Sequence, residues 1–219
     1  MAGAIITVAQ QKGGAGKTTL AAHLAVALTE GGRRVAIVDI DPQASLSRWY
    51  QTRLAARGDG GLSHVQITGW RTQREVERLA REHDFVVIDS PPHAETEARI
   101  AVRSATLVVV PVQPSPMDLW ATEPTLALAR EEKVPVLIVV NRVPPRARLA
   151  DELERRIRDL GAPVARTQVG NRIQFASALF EGLGVTEQAR RTRAAEEIRD
   201  LSAEIRESVG RSARSGALS

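Results

Sequence analysis

The 219-residue chain contains no cysteine, so disulfides, thiolate-bound zinc and cysteine-held iron–sulfur clusters are excluded by inventory. Aromatic side chains are nearly as scarce, with three Trp, one Tyr and three Phe, too few for the stacking platforms on which single-stranded nucleic acid is held. No apolar stretch approaches the roughly 20 residues that cross a bilayer. The N-terminus enters an apolar run directly, without the basic flank and small-residue cleavage site of a signal peptide, so a cytoplasmic protein is expected. Repeats and low-complexity linkers are missing too, and nothing ahead of the first apolar run suggests a separate DNA-reading domain. Length and a hydrophobic content of 43% predict one α/β domain over residues 1–210 with a polar tail over 211–219.

Lysine is the third scarcity. Of 30 basic residues only Lys12, Lys17 and Lys133 are lysine, and the first two share one glycine-rich loop, a site that calls for an ammonium rather than a guanidinium. Net charge is +4, and the surplus is C-terminal: residues 1–141 carry 15 basic and 15 acidic side chains, residues 142–219 carry 15 and 11. Such a surplus reads either as a patch for a polyanion or as solvated helix surface.

Apolar, β-branched runs recur at Ala4–Ala9, Val35–Val38, Phe85–Ile88, Leu107–Val110 and Val134–Val140. Continuous runs of this kind are strands buried on both faces, hence a mainly parallel sheet. Helix-period segments fall at Lys17–Glu30, Ser45–Ala56, Gln73–Glu82, Glu95–Ser104, Leu119–Glu131 and Leu149–Leu160, and the alternation predicts a doubly wound α/β fold with helices flanking the sheet. Gly31-Gly32 closes the first helix, Gly58–Gly61 marks a loop, and Leu62–Thr68 reads as a short extra strand. After Thr186, the residues Ile198, Leu201, Ile205 and Val209 form one apolar stripe on a helix. Packing on the sheet explains that stripe better than membrane binding, because its polar face mixes Glu with Arg and the tail has no Phe or Trp.

Between the first strand and the first helix lies Gln11-Lys12-Gly13-Gly14-Ala15-Gly16-Lys17-Thr18-Thr19. Glycines let a backbone curl so that successive N–H groups point at phosphate oxygens, and the following helix adds the positive end of its dipole. Lys17 is placed to reach the β- and γ-phosphates of a nucleotide and the Thr18 hydroxyl to ligate Mg2+. The second strand ends in Val38-Asp39-Ile40-Asp41-Pro42-Gln43, and another ends in Ile88-Asp89-Ser90-Pro91-Pro92. Both put carboxylates at the C-terminal edge of a parallel sheet, where ligands of such sheets bind.

Lys-Gly-Gly-x-Gly-Lys-Thr, with Lys12 standing where a standard phosphate loop has other residues, resembles the deviant Walker A motif of the ParA/MinD family of P-loop ATPases. The likeness runs from Ile5 to about Val209 and is closest to short ParA-type partition proteins without an N-terminal helix-turn-helix. It implies that Lys12 reaches the other subunit's phosphates in a nucleotide-sandwich dimer, so ATP binding and homodimerisation are one event. It further implies that Gly13, Gly14, Ala15, Gly16, Lys17, Thr18 and Thr19 bind ATP, and that Asp41 orients the attacking water. Thr18, Asp41 and Asp89 then form the Mg2+ shell while Asp39 shapes the loop or that shell. Asn141, which has both a donor and an acceptor for a purine edge, and part of the loop at Pro116, Met117 and Asp118 hold the adenine.

Within that family, cluster-bearing and metalloid-binding relatives need cysteines that this chain lacks, and a small-molecule site of the synthetase-like members is not recognisable. Two functions remain. One is a ParA-like partition or positioning ATPase, nucleoid-associated in the cytoplasm, that binds nonspecific double-stranded DNA and is stimulated by a ParB-like or other adaptor. The other is a MinD-like membrane-associated positioning ATPase, although no stable membrane insertion is expected. For the first, Arg166, Arg172, Arg190, Arg191 and Arg193 are the candidate contacts to DNA phosphates.

Overall fold

The apolar runs form one sheet of six parallel strands, β1 (Ala4–Val8), β2 (Val35–Asp39), β3 (Ser63–Gln66), β4 (Phe85–Asp89), β5 (Leu107–Val112) and β6 (Val136–Val140), in the order β3-β2-β4-β1-β5-β6. The computed structural model describes residues 2–58, 60–92, 95–145, 155–159 and 161–216. The helices are α1 (Lys17–Thr29), α2 (Ser45–Arg57), α3 (Thr72–Glu82), α4 (Glu95–Ser104), α5 (Pro116–Trp120) and α6 (Glu123–Glu131). A helical segment α7 at residues 155–159 precedes α8 (Ile173–Phe180), α9 (Val185–Gln188) and α10 (Arg193–Gly216).

Successive side chains of each strand go to opposite faces of the sheet, and both faces are covered. On one, Ile6, Val8, Ile37, Val87, Val109 and Val139 pack with α1, α2, α8, α9 and α10. On the other, Ile5, Ala36, Val38, Val86 and Ile88 meet α3, while Val108, Val110, Ile138 and Val140 meet α4, α6 and α7. The doubly wound reading therefore holds, and Leu62–Thr68 supplies the edge strand β3.

Helix α1 is buried along its whole length from Leu20 to Leu28, as an alanine- and leucine-rich helix without a polar face must be. It lies between the sheet and α10, whose Ile198, Leu201 and Ile205 are fully buried with Val209 packed beside them. Each of those three contributes about 2 kcal/mol of apolar burial. The stripe on α10 is thus spent on α1 and is not available as a membrane-binding face.

Three boundaries differ from the sequence expectation. The helix expected over Leu119–Glu131 is two helices, because Pro124 lacks the N–H an interior turn requires and instead sits in the first turn of α6. The residues 211–216, read as tail, continue α10; nothing after Gly210 breaks the helical pattern. Of the helix expected over Leu149–Leu160, residues 155–159 are helical and the remainder lies outside the described residues.

Candidate functional site

Strand β1 sits between β4 and β5, and the phosphate-loop candidate leaves its C-terminal end to become α1. Gly14 and Gly16 have φ of 77° and 88°, which side chains with a Cβ rarely adopt. At Gly16 a Cβ would also lie 2.7 Å from the Asn141 Nδ2. Three side chains hold the carbonyls of this loop. Gln113 Nε2 and Arg142 Nη1 each donate to the Gly14 oxygen at 2.9 Å, and Asn141 Nδ2 donates to the Ala15 oxygen at 2.9 Å. With its carbonyls so occupied, the loop offers N–H groups to an anion. Arg142 reaches the loop from a left-handed backbone, φ 54°, the kind of local strain that surrounding structure maintains at functional positions.

Thr18 Oγ1 donates to Asp89 Oδ2 at 2.6 Å, joining two of the residues expected in a metal shell. The other Asp89 oxygen is buried without a hydrogen-bond partner. Burial, the dominant cause, pushes the Asp89 carboxyl up to about 7; Asp39 and Asp41 act in the same direction, against the Thr18 hydroxyl and Lys17. Burial likewise lowers the Lys17 ammonium, opposed by the charges of Asp89 and Asp41. Among the described residues no cluster of three His, Cys, Asp or Glu side chains could hold a metal by itself. A hydroxyl, one unsatisfied buried carboxylate oxygen and adjacent phosphate-binding amides fit Mg2+, which takes a few protein oxygens together with waters and phosphates.

Asp39 and Asp89 are register partners on β2 and β4. Asp39 Oδ1 accepts the Asp41 N–H at 3.1 Å, and Oδ2 accepts both the Ser47 N–H at 2.8 Å and the Ser47 hydroxyl at 2.7 Å. Asp39 therefore caps the first turn of α2 across the loop. Asp41 Oδ1 accepts the Gln43 N–H at 2.9 Å, which closes the turn in front of α2.

Lys12 lies 2.6 Å from Asp118 Oδ2, an ion pair whose acidic partner is buried. The stretch Pro116, Met117 and Asp118 forms the first turn of α5, begun by Ser115, whose hydroxyl accepts the Asp118 N–H. That Ser-Pro-x-Asp start is an ordinary capped helix. It turns Asp118 toward Lys12 and leaves Met117 exposed. A cavity of about 910 Å3 beside the loop is lined by Thr18, Thr19, Asn141, Arg142, Phe175 and Ala176, together with Pro114 and Ser115 rather than Pro116 to Asp118. Asn141 lines this cavity, and its amide is engaged by the Ala15 carbonyl and the Arg142 N–H. Gln113, Arg142 and Ser47 were not singled out by the sequence; their only sequence signal is position, at or just past strand ends and in the first turn of α2.

The five candidate arginines divide. Arg166 pairs with Glu207 at 3.1 Å and Glu204 at 3.6 Å, Arg172 with Glu197 at 2.6 Å, and Arg193 with Glu197 at 3.5 Å and Glu196 at 3.6 Å. All four carboxylates belong to α10. Arg190 and Arg191 are exposed, and Arg190 donates to the Glu187 carbonyl. No helix among the described residues is long and apolar enough to cross a membrane.

A parallel sheet whose central first strand feeds a glycine-rich, lysine-bearing loop and a buried helix defines a P-loop nucleotide-binding domain. The chain belongs to the CobQ/CobB/MinD/ParA nucleotide binding domain family, whose model matches residues 6–185. It is 32% identical over 207 residues to maintenance of carboxysome distribution protein A of Halothiobacillus neapolitanus, covering 91% of this chain and 95% of that one. It is 28% identical over 238 residues to the chromosome-partitioning ATPase Soj of Thermus thermophilus, covering 91% and 94%. Among solved structures, the cell division ATPase MinD of Pyrococcus furiosus shares the fold with a TM-score of 0.78 at 21% identity, over 94% of this chain and 99% of that one.

Proposed function

We propose that the chain is a ParA-like partition or positioning ATPase, which closes as a homodimer on ATP, binds nonspecific duplex DNA and is released by slow hydrolysis. The observation that carries this reading is the second lysine of the phosphate loop. Lys12 is parked on Asp118 at the rim of the site, while Lys17 serves the loop from within, 3.4 Å from the Lys12 carbonyl. An ammonium so placed suits service to phosphates presented by a second subunit. The surface around it supports this. Among the described residues, the large exposed hydrophobics are Trp70, Met117, Trp120, Ile173 and Phe180. They follow the C-terminal ends of β3 and β5 or lie on α8, which lines the cavity next to Thr18.

In this mechanism Lys17 and the loop amides bind the phosphates, Asp41 orients the attacking water, and each Lys12 crosses to neutralise charge on the partner's nucleotide. Bound Mg2+, held by Thr18 with Asp89 and Asp41 in its shell, would supply further charge neutralisation between the phosphates. An adaptor protein accelerates the step and selects the cargo, in the cytoplasm and on the nucleoid. Arg190 and Arg191 are the arginines we assign to DNA, because Arg166, Arg172 and Arg193 already face carboxylates.

The test is co-sedimentation with nonspecific duplex DNA and, separately, with anionic liposomes, each with ATP, ADP or no nucleotide over a salt series. DNA binding that requires ATP and falls steeply with salt supports the reading. Binding to liposomes alone replaces it with a membrane-bound positioning ATPase.

A further inference from the structure

We infer that His64, on the edge strand, positions the catalytic loop through Ser47 and Asp39, and so sets how fast bound ATP is hydrolysed. The inference rests on the role of Asp41 proposed above. His64 Nε2 lies 2.9 Å from the Ser47 hydroxyl oxygen. That hydroxyl has a single proton, and it goes to Asp39 Oδ2 at 2.7 Å, so Ser47 can only accept from the histidine. Asp39 passes the restraint on, because its second oxygen holds the Asp41 N–H. The chain thus runs from an edge of the sheet to the backbone of Asp41, the residue proposed to orient the attacking water, and each link is a directed hydrogen bond.

Both ends of this chain are constrained. The His64 ring stacks on Tyr50, with centroids 4.6 Å apart and planes at 23°, and Tyr50 is itself anchored through its hydroxyl to the Leu62 carbonyl at 2.7 Å. At the other end, the turn between Asp41 and α2 carries Ala44 at φ 54°, a left-handed conformation that a residue with a Cβ adopts only under restraint. A strained turn clamped at Asp39 has a geometry that depends on the clamp. Without the histidine donor the Ser47 hydroxyl keeps only its bond to Asp39, and the Asp39 carboxylate, still held by the Ser47 and Asp41 N–H groups, loses one of the restraints on the orientation that fixes Asp41. The contacts of His64 are with Ser47 and Tyr50, neither of them assigned to the phosphates or the metal; it is a positioning residue.

Three variants of the full chain test this by single-turnover ATP hydrolysis, ATP affinity and thermal melting. His64→Phe keeps a ring on Tyr50 but removes the donor, and we expect a fall in the hydrolysis rate of about tenfold with ATP affinity and melting temperature unchanged. His64→Gln restores an N–H within reach of Ser47 and should recover most of the rate. Wild-type hydrolysis in His64→Phe, or a loss that tracks a lower melting temperature and is not recovered by His64→Gln, overturns the inference. Asp41→Ala separates the two levels: if it abolishes hydrolysis while His64→Phe does not slow it, only the histidine is misassigned. If Asp41→Ala still hydrolyses ATP at the wild-type rate, the role of Asp41 fails and the inference with it.

Discussion

Gly16 combines two demands that no other residue type meets, a left-handed φ and a neighbour, Asn141 Nδ2, where its Cβ would stand. Gly16→Ala should therefore abolish measurable nucleotide binding by calorimetry while leaving the far-ultraviolet circular dichroism of the sheet and helices unchanged. His23 makes a different prediction. It is buried in α1, where its Nδ1 accepts the Val185 N–H at 3.1 Å and its Nε2 faces the Phe175 carbonyl at 3.2 Å. Burial lowers its pKa from 6.5 to about 4, only partly offset by the Phe175 carbonyl. The folded chain refuses a proton that the unfolded chain accepts, so this stability is complete above about pH 6.5 and is lost as pH falls toward 4. The loss is about 3 kcal/mol. Urea midpoints measured from pH 7.5 down to 4.5 should show that slope in the wild type and a shallower one in His23→Gln.

Single residues of the site were legible where their chemistry is local. The phosphate loop, Asp41 and Asp89 stand in strand-loop-helix contexts that a linear reading detects. The Lys12–Asp118 pair was not legible, because it joins segments more than a hundred positions apart and Asp118 reads equally well as a loop residue beside the base. The same holds for Arg166 and Arg172, whose partners Glu204 and Glu197 face them only once α10 is laid down.

At the scale of elements, α5 is the part that would have to respond to dimer closure. It holds Lys12 through a buried carboxylate, one oxygen of which has no hydrogen-bond partner. Taking the ammonium away would leave that carboxylate with the Ser115 hydroxyl contact alone, a cost that makes Lys12 resist leaving. Asp118→Asn should loosen it. In sedimentation velocity with a non-hydrolysable ATP analogue, we expect dimerisation about threefold tighter, the size of a partly exposed pair. Unchanged dimerisation would mean that Asp118 does not restrain Lys12. The break between α5 and α6 is foreshadowed by Pro124, whereas the continuation of α10 to Gly216 is not, because Gly210 and a polar composition mimic a helix end.

For the whole molecule, the distribution of exposed apolar side chains matters more than their number. The sheet's two faces are sealed by helices, so unpartnered surface is left beside the strands' C-terminal edge, where Trp120 is 66% exposed. Trp120→Ala should weaken ATP-dependent dimerisation about tenfold without lowering the melting temperature of the nucleotide-free chain. An equal affinity for itself in wild type and variant would place the dimer contact elsewhere. The fold class was readable because parallel strands buried on both faces are unbroken apolar runs; the strand order was not, since nothing in a run of valines says which neighbour it takes.

That strand order has a bearing on synthesis. β1 is made before both of its register partners, Phe85 to Asp89 on one side and Leu107 to Val109 on the other, and α1 is roofed by α10, which follows all six strands in the chain. Strand β1 therefore stays unpaired and apolar until synthesis has reached Phe85 to Asp89, and it gains its second neighbour only at Leu107 to Val109. The loop between β1 and α1 is consequently framed by segments made after it, and the buried side of α1 stays uncovered until α10 exists.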